Sequence, residues 1–345
     1  MKAAVYEKFE GNIAIQQLPD PEPKDDGVVV KVTATGLCRS DWHGWMGHDP
    51  DITLPHVPGH ELAGIVVEKG KNVKHFSVGD RVTVPFVSGC GNCEQCASNN
   101  HQVCDHQSQP GFTHWGSFAE YVRLDYADTN LVKLPETITD ITAATLGCRF
   151  ITAFRAVVDQ GKVSENMVVA VHGCGGVGLS AVMIAHALGA KVIAIDINPD
   201  NLLLAAQLGA NLTINASQTD VVQSVKAYTQ GGVAVSLDAL GSAETCFNSI
   251  ANLKKRGRHV QVGLVAGAQR HPKIPMDKVI AHELEIVGSH GMQAFRYKEM
   301  LSMIARGDLQ PEKLIHQRVT LEEGVQLLPE MNHFKHKGVI VINTF

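Results

Sequence analysis

No apolar stretch in this chain runs uninterrupted for anything near the roughly 20 residues that a bilayer-spanning helix needs, so the sequence predicts no membrane span. Basic residues are not in excess either. The 30 Lys and Arg stand against 35 Asp and Glu, a formal charge of −5, which argues against nucleic acid as a partner. Low-complexity linkers and long internal repeats are also missing, so the chain does not read as disordered or as a repeat array. The opening Met1-Lys2-Ala3-Ala4-Val5 resembles a strand rather than an export leader, and the expectation is a cytoplasmic protein with reduced cysteines. What the chain has in quantity is apolar residues, 44% of 345, too long a chain for one ordinary core and suited to two domains.

Texture divides it. From Val28 to about Phe150, short apolar runs such as Val28-Val29-Val30-Lys31-Val32 and Gly64-Ile65-Val66-Val67 alternate with turns such as Val78-Gly79-Asp80, the pattern of a β-rich domain. From about Asn166 strands alternate with amphipathic helices: strands at Met167 to Val171, Lys191 to Ile195, Val233 to Leu237, Arg258 to Val262 and Leu284 to Gly288. Helices are expected up to Leu188, over Pro199 to Leu208 and near Ala243 to Leu253. That rhythm predicts a doubly wound parallel sheet. The run Gly338-Val339-Ile340-Val341-Ile342 reads as a last strand.

Cys90-x-x-Cys93-x-x-Cys96-x7-Cys104 can bring four thiolates around one tetrahedral zinc. Four sulfur ligands leave no position for water or substrate, so this lobe, 88–106, predicts a structural metal and no chemistry. Two disulfides or redox thiols are the competing reading, disfavoured by the tight spacing and the expected reducing compartment. Gly173-Cys174-Gly175-Gly176-Val177-Gly178 follows a strand and opens a helix, the context in which a glycine turn admits a pyrophosphate to free amides and to the positive end of the helix. The next strand ends at Asp196, where a carboxylate can accept from the adenosine ribose hydroxyls. It would repel a 2′-phosphate, and no arginine follows in Ile197-Asn198-Pro199-Asp200, so NAD is favoured over NADP. Cys38, His60 and Cys148 are weak signals singly, because a lone cysteine or histidine is more often a packing residue. Together they suggest three protein ligands and one open position, the pattern of a catalytic zinc.

Cys38-Arg39-Ser40-Asp41-Trp42-His43, Gly59-His60-Glu61, the four-cysteine lobe, Gly147-Cys148 and the glycine turn occur in one order. In that order and over nearly its whole length the chain resembles the zinc-dependent medium-chain alcohol dehydrogenases. The resemblance implies an α/β protein with a partly open, GroES-like β-barrel catalytic domain over 1–150, a Rossmann NAD-binding domain over 151–287, and a return segment over 288–345 that completes the first domain. It implies two zinc ions per chain, NAD as cofactor, a small alcohol or aldehyde as substrate and, from the chain's length, a homotetramer.

Carried over by position, the resemblance makes Cys38, His60 and Cys148 the catalytic zinc ligands and Glu61 a carboxylate able to approach the metal. It puts Asp41 behind His60, Ser40 at the substrate oxygen and His43 at the end of a proton relay. Arg39 would hold the pyrophosphate together with Gly173, Gly175, Gly176 and Gly178. Thr152, Val177, Val262 and Ser289 would pack against or hold the nicotinamide. Phe86 matches a substrate-pocket position. Trp42, Trp45 and Trp115 are further candidates for an aromatic wall, which would favour small alcohols, although core packing is the stronger reading for them. A polyol dehydrogenase of the same superfamily is the nearest alternative, against which Cys148, in place of a glutamate, argues. A non-catalytic nucleotide-binding relative would be expected to have lost its metal ligands.

Overall fold

The computed structural model describes residues 1–265, 267–331 and 338–345. They form two compact units, one of Met1–Ile151, Gly291–Ala305 and Pro311–Phe345, the other of Thr152–His290 and Arg306–Gln310.

In the first unit, β1 (Lys2–Tyr6) pairs antiparallel with β2 (Ile13–Gln17). The ten-residue β3 (Val28–Leu37) is the spine of the larger sheet, with β4 (Glu61–Lys69) along most of its length. β5 (Arg81–Thr83), β6 (Tyr121–Leu124) and β7 (Val132–Lys133) are short and pair with β4, β3 and β5 respectively. Val28, Val30, Val32, Leu62, Val66, Val82 and Val84 pack together as the core of this sheet, which is why the valine-rich runs are strands. Gly79, in the turn before β5, has φ +95, a conformation that an L side chain rarely adopts.

The second unit is a six-stranded, wholly parallel sheet: β8 (Val168–His172), β9 (Lys191–Asp196), β10 (Leu212–Asn215), β11 (Val233–Asp238), β12 (Leu253–Gln261) and β13 (Glu285–Gly288). Its order, β10-β9-β8-β11-β12-β13, reverses direction at β8, the doubly wound topology. Two details differ from the sequence reading. The helix before β12 stops at Ala251 and the strand begins at Leu253, because Leu253 already pairs with Val233 before a register shift lets Arg258 resume the ladder opposite Val235. β10 was not singled out in the sequence; its four residues are too few to show a periodicity.

β14 (Ile315–Thr320) and β15 (Val339–Thr344) belong to the first unit. β15 lies between β14 and β3, pairing Ile340 with Leu37 and Val341 with Gly36, so the large sheet runs β14-β15-β3-β4-β5-β7. Among the described residues no helix is long and apolar enough to cross a membrane.

Candidate active site and metal centres

Antiparallel pairing sets the end of β3 beside the start of β4, with Gly36 opposite Glu61. Cys38, immediately after β3, and His60, immediately before β4, are therefore neighbours although they are far apart in sequence. Cys148 arrives from the segment Leu146–Phe150, a wide helical turn of the kind often found at functional sites. One ligand atom from each of Cys38, His60, Glu61 and Cys148 lies within 4.8 Å of the others, and all four residues are buried.

Asp41 organises this cluster. Its Oδ1 accepts from His60 Nδ1 at 2.8 Å and from the Gly59 amide at 3.0 Å, and its Oδ2 accepts from the Cys38 amide at 2.9 Å. The carboxylate thus joins two ligand-bearing segments and leaves His60 Nε2 as the free ring nitrogen. That nitrogen is buried with no hydrogen-bond partner. Such an atom is costly in an apolar interior unless a cation meets it, and two thiols and an imidazole are donors that suit zinc. The residues present fit the metal.

Electrostatics agree. The Cys148 thiol, donating to Cys38, holds the Cys38 thiol well below its usual range despite burial, with Arg149 and His60 adding to the effect. The same bond and burial push Cys148 up. Burial alone would lower His60, but the charge and hydrogen bond of Asp41 outweigh it and raise the imidazole well above its usual value. The cluster therefore attracts positive charge.

Glu61 is held by a residue that the sequence reading passed over. Arg149 donates to Glu61 Oε1 from its amide at 2.8 Å and from Nε at 3.1 Å, pairs through Nη2 with Oε2, and sends Nη1 to the Leu37 carbonyl at 3.0 Å. A Cβ on Gly36 would stand 2.5 Å from Glu61 Oε2 and 2.8 Å from Arg149 Nη2, so this buried ion pair needs glycine there. The signal for Arg149 was present: a charged residue inside the apolar run Leu146 to Ile151 must find a partner.

The helix Arg39–Trp45 begins with Cys38 as its cap and carries Ser40 and His43, both half-buried. Burial first, then the charges of Arg39 and His48, pull His43 down to about 4. Arg39 Nη1 donates to the Met331 carbonyl, and the guanidinium stacks 3.9 Å above the Trp42 ring.

The four candidate wall residues have different surroundings. The Phe86 ring lies 6.2 Å from that of His60. Phe112, not named from the sequence, is closer, at 5.2 Å. Trp42 is buried in the core with Tyr6, Leu37 and Phe118. Trp45 packs against the same core and donates its indole N–H to the Gly11 carbonyl at 2.8 Å, in keeping with a packing role. Trp115 donates to the Pro55 carbonyl at 3.1 Å and lines a separate cavity of about 400 Å³ with His56, Phe112 and Arg123.

Sulfurs of Cys90, Cys93, Cys96 and Cys104 also lie within 4.8 Å of one another. Cys93 and Cys104 Sγ are 3.6 Å apart, far beyond a disulfide bond and close to the roughly 3.8 Å edge of a tetrahedron with Zn–S bonds of about 2.3 Å. All eight cysteines are free thiols. Backbone amides point at the sulfurs: those of Cys90 and His106 at Cys104 Sγ, each 3.2 Å, and that of Cys96 at Cys93 Sγ, 3.5 Å. The Cys96 amide, with help from that of Asp105, lowers Cys93 to about 6. This lobe, too, fits zinc.

In the second unit the glycine turn connects β8 to the helix Gly176–Ala187. Gly173 has φ +87, and a Cβ on Gly178 would sit 1.7 Å from the Gly173 carbonyl oxygen. A Cβ on Gly175 would meet nothing within 4 Å, so the turn leaves open space at the start of the helix, as a phosphate requires. Asp196, at the end of β9, accepts from the Cys174 amide at 2.6 Å and the Asn198 amide at 2.8 Å, which fixes the carboxylate beside the turn. Val177 is half-buried within the first turn of that helix, and Thr152 has a buried hydroxyl with no partner. The Val262 amide donates to the Asp238 carbonyl and the Ser289 amide to the Gln261 carbonyl, extending the β11–β12 and β12–β13 ladders. Cys174 is buried, its thiol pushed up by burial and by Asp196, which suits packing rather than reactivity.

Residues 24–136 match the alcohol dehydrogenase GroES-like domain, and residues 176–306 the zinc-binding dehydrogenase domain. An alcohol dehydrogenase of Geobacillus stearothermophilus is 32% identical, with 99% of this chain and 98% of that protein aligned. A sorbitol dehydrogenase of Halalkalibacterium halodurans is also 32% identical, over 94% of each. The structure of the alcohol dehydrogenase TADH from Thermus sp. ATN1 superposes with a TM-score of 0.92 at 30% identity, covering 100% of both chains. With two ligand clusters, a dinucleotide turn and these relatives in agreement, the chain belongs to the zinc-dependent medium-chain alcohol dehydrogenases and is an oxidoreductase of alcohols and their carbonyl products.

Proposed function

We propose that this protein is an NAD-linked dehydrogenase of small alcohols, with one catalytic and one structural zinc per chain. The observation that carries the reading is the buried cluster of Cys38, His60 and Cys148, with Asp41 holding the imidazole through Nδ1 and its Nε2 buried without a hydrogen-bond partner. When bound, zinc supplies Lewis acidity toward an alcohol or carbonyl oxygen, and the dinucleotide is the two-electron acceptor or donor. Cys38, His60 and Cys148 hold the first metal, and Cys90, Cys93, Cys96 and Cys104 the second. Glu61, pinned by Arg149, balances charge behind the cluster. Ser40 accepts a hydrogen bond from the substrate hydroxyl and passes its proton toward His43, whose ring is neutral and so offers a lone pair. Phe86 and Phe112 exclude water beside His60. Gly173, Gly175, Gly176 and Gly178 admit the pyrophosphate, Arg39 meets its charge, and Asp196 accepts from the ribose and disfavours a 2′-phosphate. Thr152, Val177, Val262 and Ser289 bound the nicotinamide.

The sorbitol dehydrogenase relative keeps a polyol substrate as the second reading. A panel of ethanol, propan-2-ol, benzyl alcohol and sorbitol, followed by NADH absorbance, separates the two. Elemental analysis is expected to give about two zinc ions per chain. Cys148→Ala should lose about one of them and more than about 100-fold of activity. Full activity in a folded, zinc-free preparation would overturn the proposal.

A further inference from the structure

A second histidine stands behind His43. The turn that follows the helix Arg39–Trp45 returns His48 to it: the His48 amide donates to the His43 carbonyl at 3.0 Å, and the two Nδ1 atoms are 2.9 Å apart. The ring centroids are 5.2 Å apart. Trp42, buried and capped by the Arg39 guanidinium, presents its ring to both, 4.9 Å from His43 and 5.8 Å from His48, and so fixes the pair from one side. His43 is half-buried and His48 exposed.

Two Nδ1 atoms at this distance share one proton, so one ring donates and the other accepts. The groups facing His43 are Arg39, His48 and the Cys38 thiol, and burial together with the Arg39 charge keeps it neutral at neutral pH. A neutral imidazole has one N–H and one lone pair, and the partner of one nitrogen decides the state of the other. His48, hydrated at its outer edge, can keep its own proton on Nε2, the form that an imidazole in water prefers. Its Nδ1 is then the acceptor. His43 must donate from Nδ1, and its Nε2 is left with the lone pair.

We infer that His48 is a positioning residue that locks His43 in the tautomer whose Nε2 can accept a proton. The inference rests on the proposed role of His43 as proton acceptor in alcohol oxidation. It needs no group beyond the two rings, and no bond other than the shared Nδ1–H is involved.

Two exposed-site variants test it. His48→Leu removes the acceptor, and His48→Asp restores one at the same position. In ¹⁵N spectra of the zinc-loaded protein without cofactor or substrate, with the His43 signals identified by their loss in His43→Gln, wild type and His48→Asp should carry the His43 proton on Nδ1. His48→Leu should carry it on Nε2. In turnover, kcat for alcohol oxidation should fall about 10- to 100-fold in His48→Leu with KM nearly unchanged, and His48→Asp should recover most of the loss. An Nδ1 proton retained in His48→Leu, a kcat within twofold of wild type, or an aspartate variant as impaired as the leucine variant would overturn it. A wild-type protein that turned over no alcohol would instead defeat the dehydrogenase reading, and the spectra would still decide the tautomer.

Discussion

At the scale of single residues, the cluster is governed by charges that cannot be removed one at a time. Glu61 is fully buried, and burial raises its carboxyl even though Arg149 pulls the other way. Arg149→Met would leave that carboxylate without its partner, which typically costs about 3–5 kcal/mol. The loss should appear as a lower urea midpoint, and adding Glu61→Gln should return part of it. A single Arg149→Met variant as stable as wild type would show that the pair does not balance charge. The ligands themselves were legible from the sequence because Cys38, His60 and Cys148 stand in recognisable company. Arg149, Phe112 and His48 were harder to find: each gains its role from a neighbour that only folding supplies, Glu61 across 88 residues in the first case and the ring of His60 in the second.

Among the elements, the turn at 173–178 has the least freedom. Its last glycine leaves no room for a methyl group, since the Gly173 carbonyl oxygen would lie far inside van der Waals contact. Gly178→Ala must therefore push the helix Gly176–Ala187 away from β8 and spoil the open start of that helix. The dissociation constant for NADH, read from fluorescence titration, should rise tenfold or more, about 1.4 kcal/mol, while the zinc content stays at the wild-type level. Unchanged affinity would mean that the turn does not cradle the dinucleotide. Elements of this sort were readable because strand, glycine turn and helix each leave a distinct mark. β10 and the start of β12 were not, since a four-residue strand and a register shift are decided by the neighbouring strands and not by local pattern.

For the whole molecule, the parallel sheet ends at β13, which pairs only with β12 among the described residues. Ile286 on this edge is 41% exposed, and Ile280, just before it, 74%. A strand edge with apolar side chains is a ready template for another chain, and a second copy pairing there would give a symmetric interface for the tetramer expected from the chain's length. Light scattering should report four chains, and Ile286→Glu should shift the assembly to smaller species; a wild-type monomer would sink the proposal. In the large sheet of the first unit, β3, which ends one residue before Cys38, is an interior strand flanked at that end by β15. During synthesis, Cys38 and His60 leave the ribosome long before β15 exists. The β3 edge at Thr35–Leu37, next to the ligand-bearing turn, therefore stays unpaired until translation is nearly over.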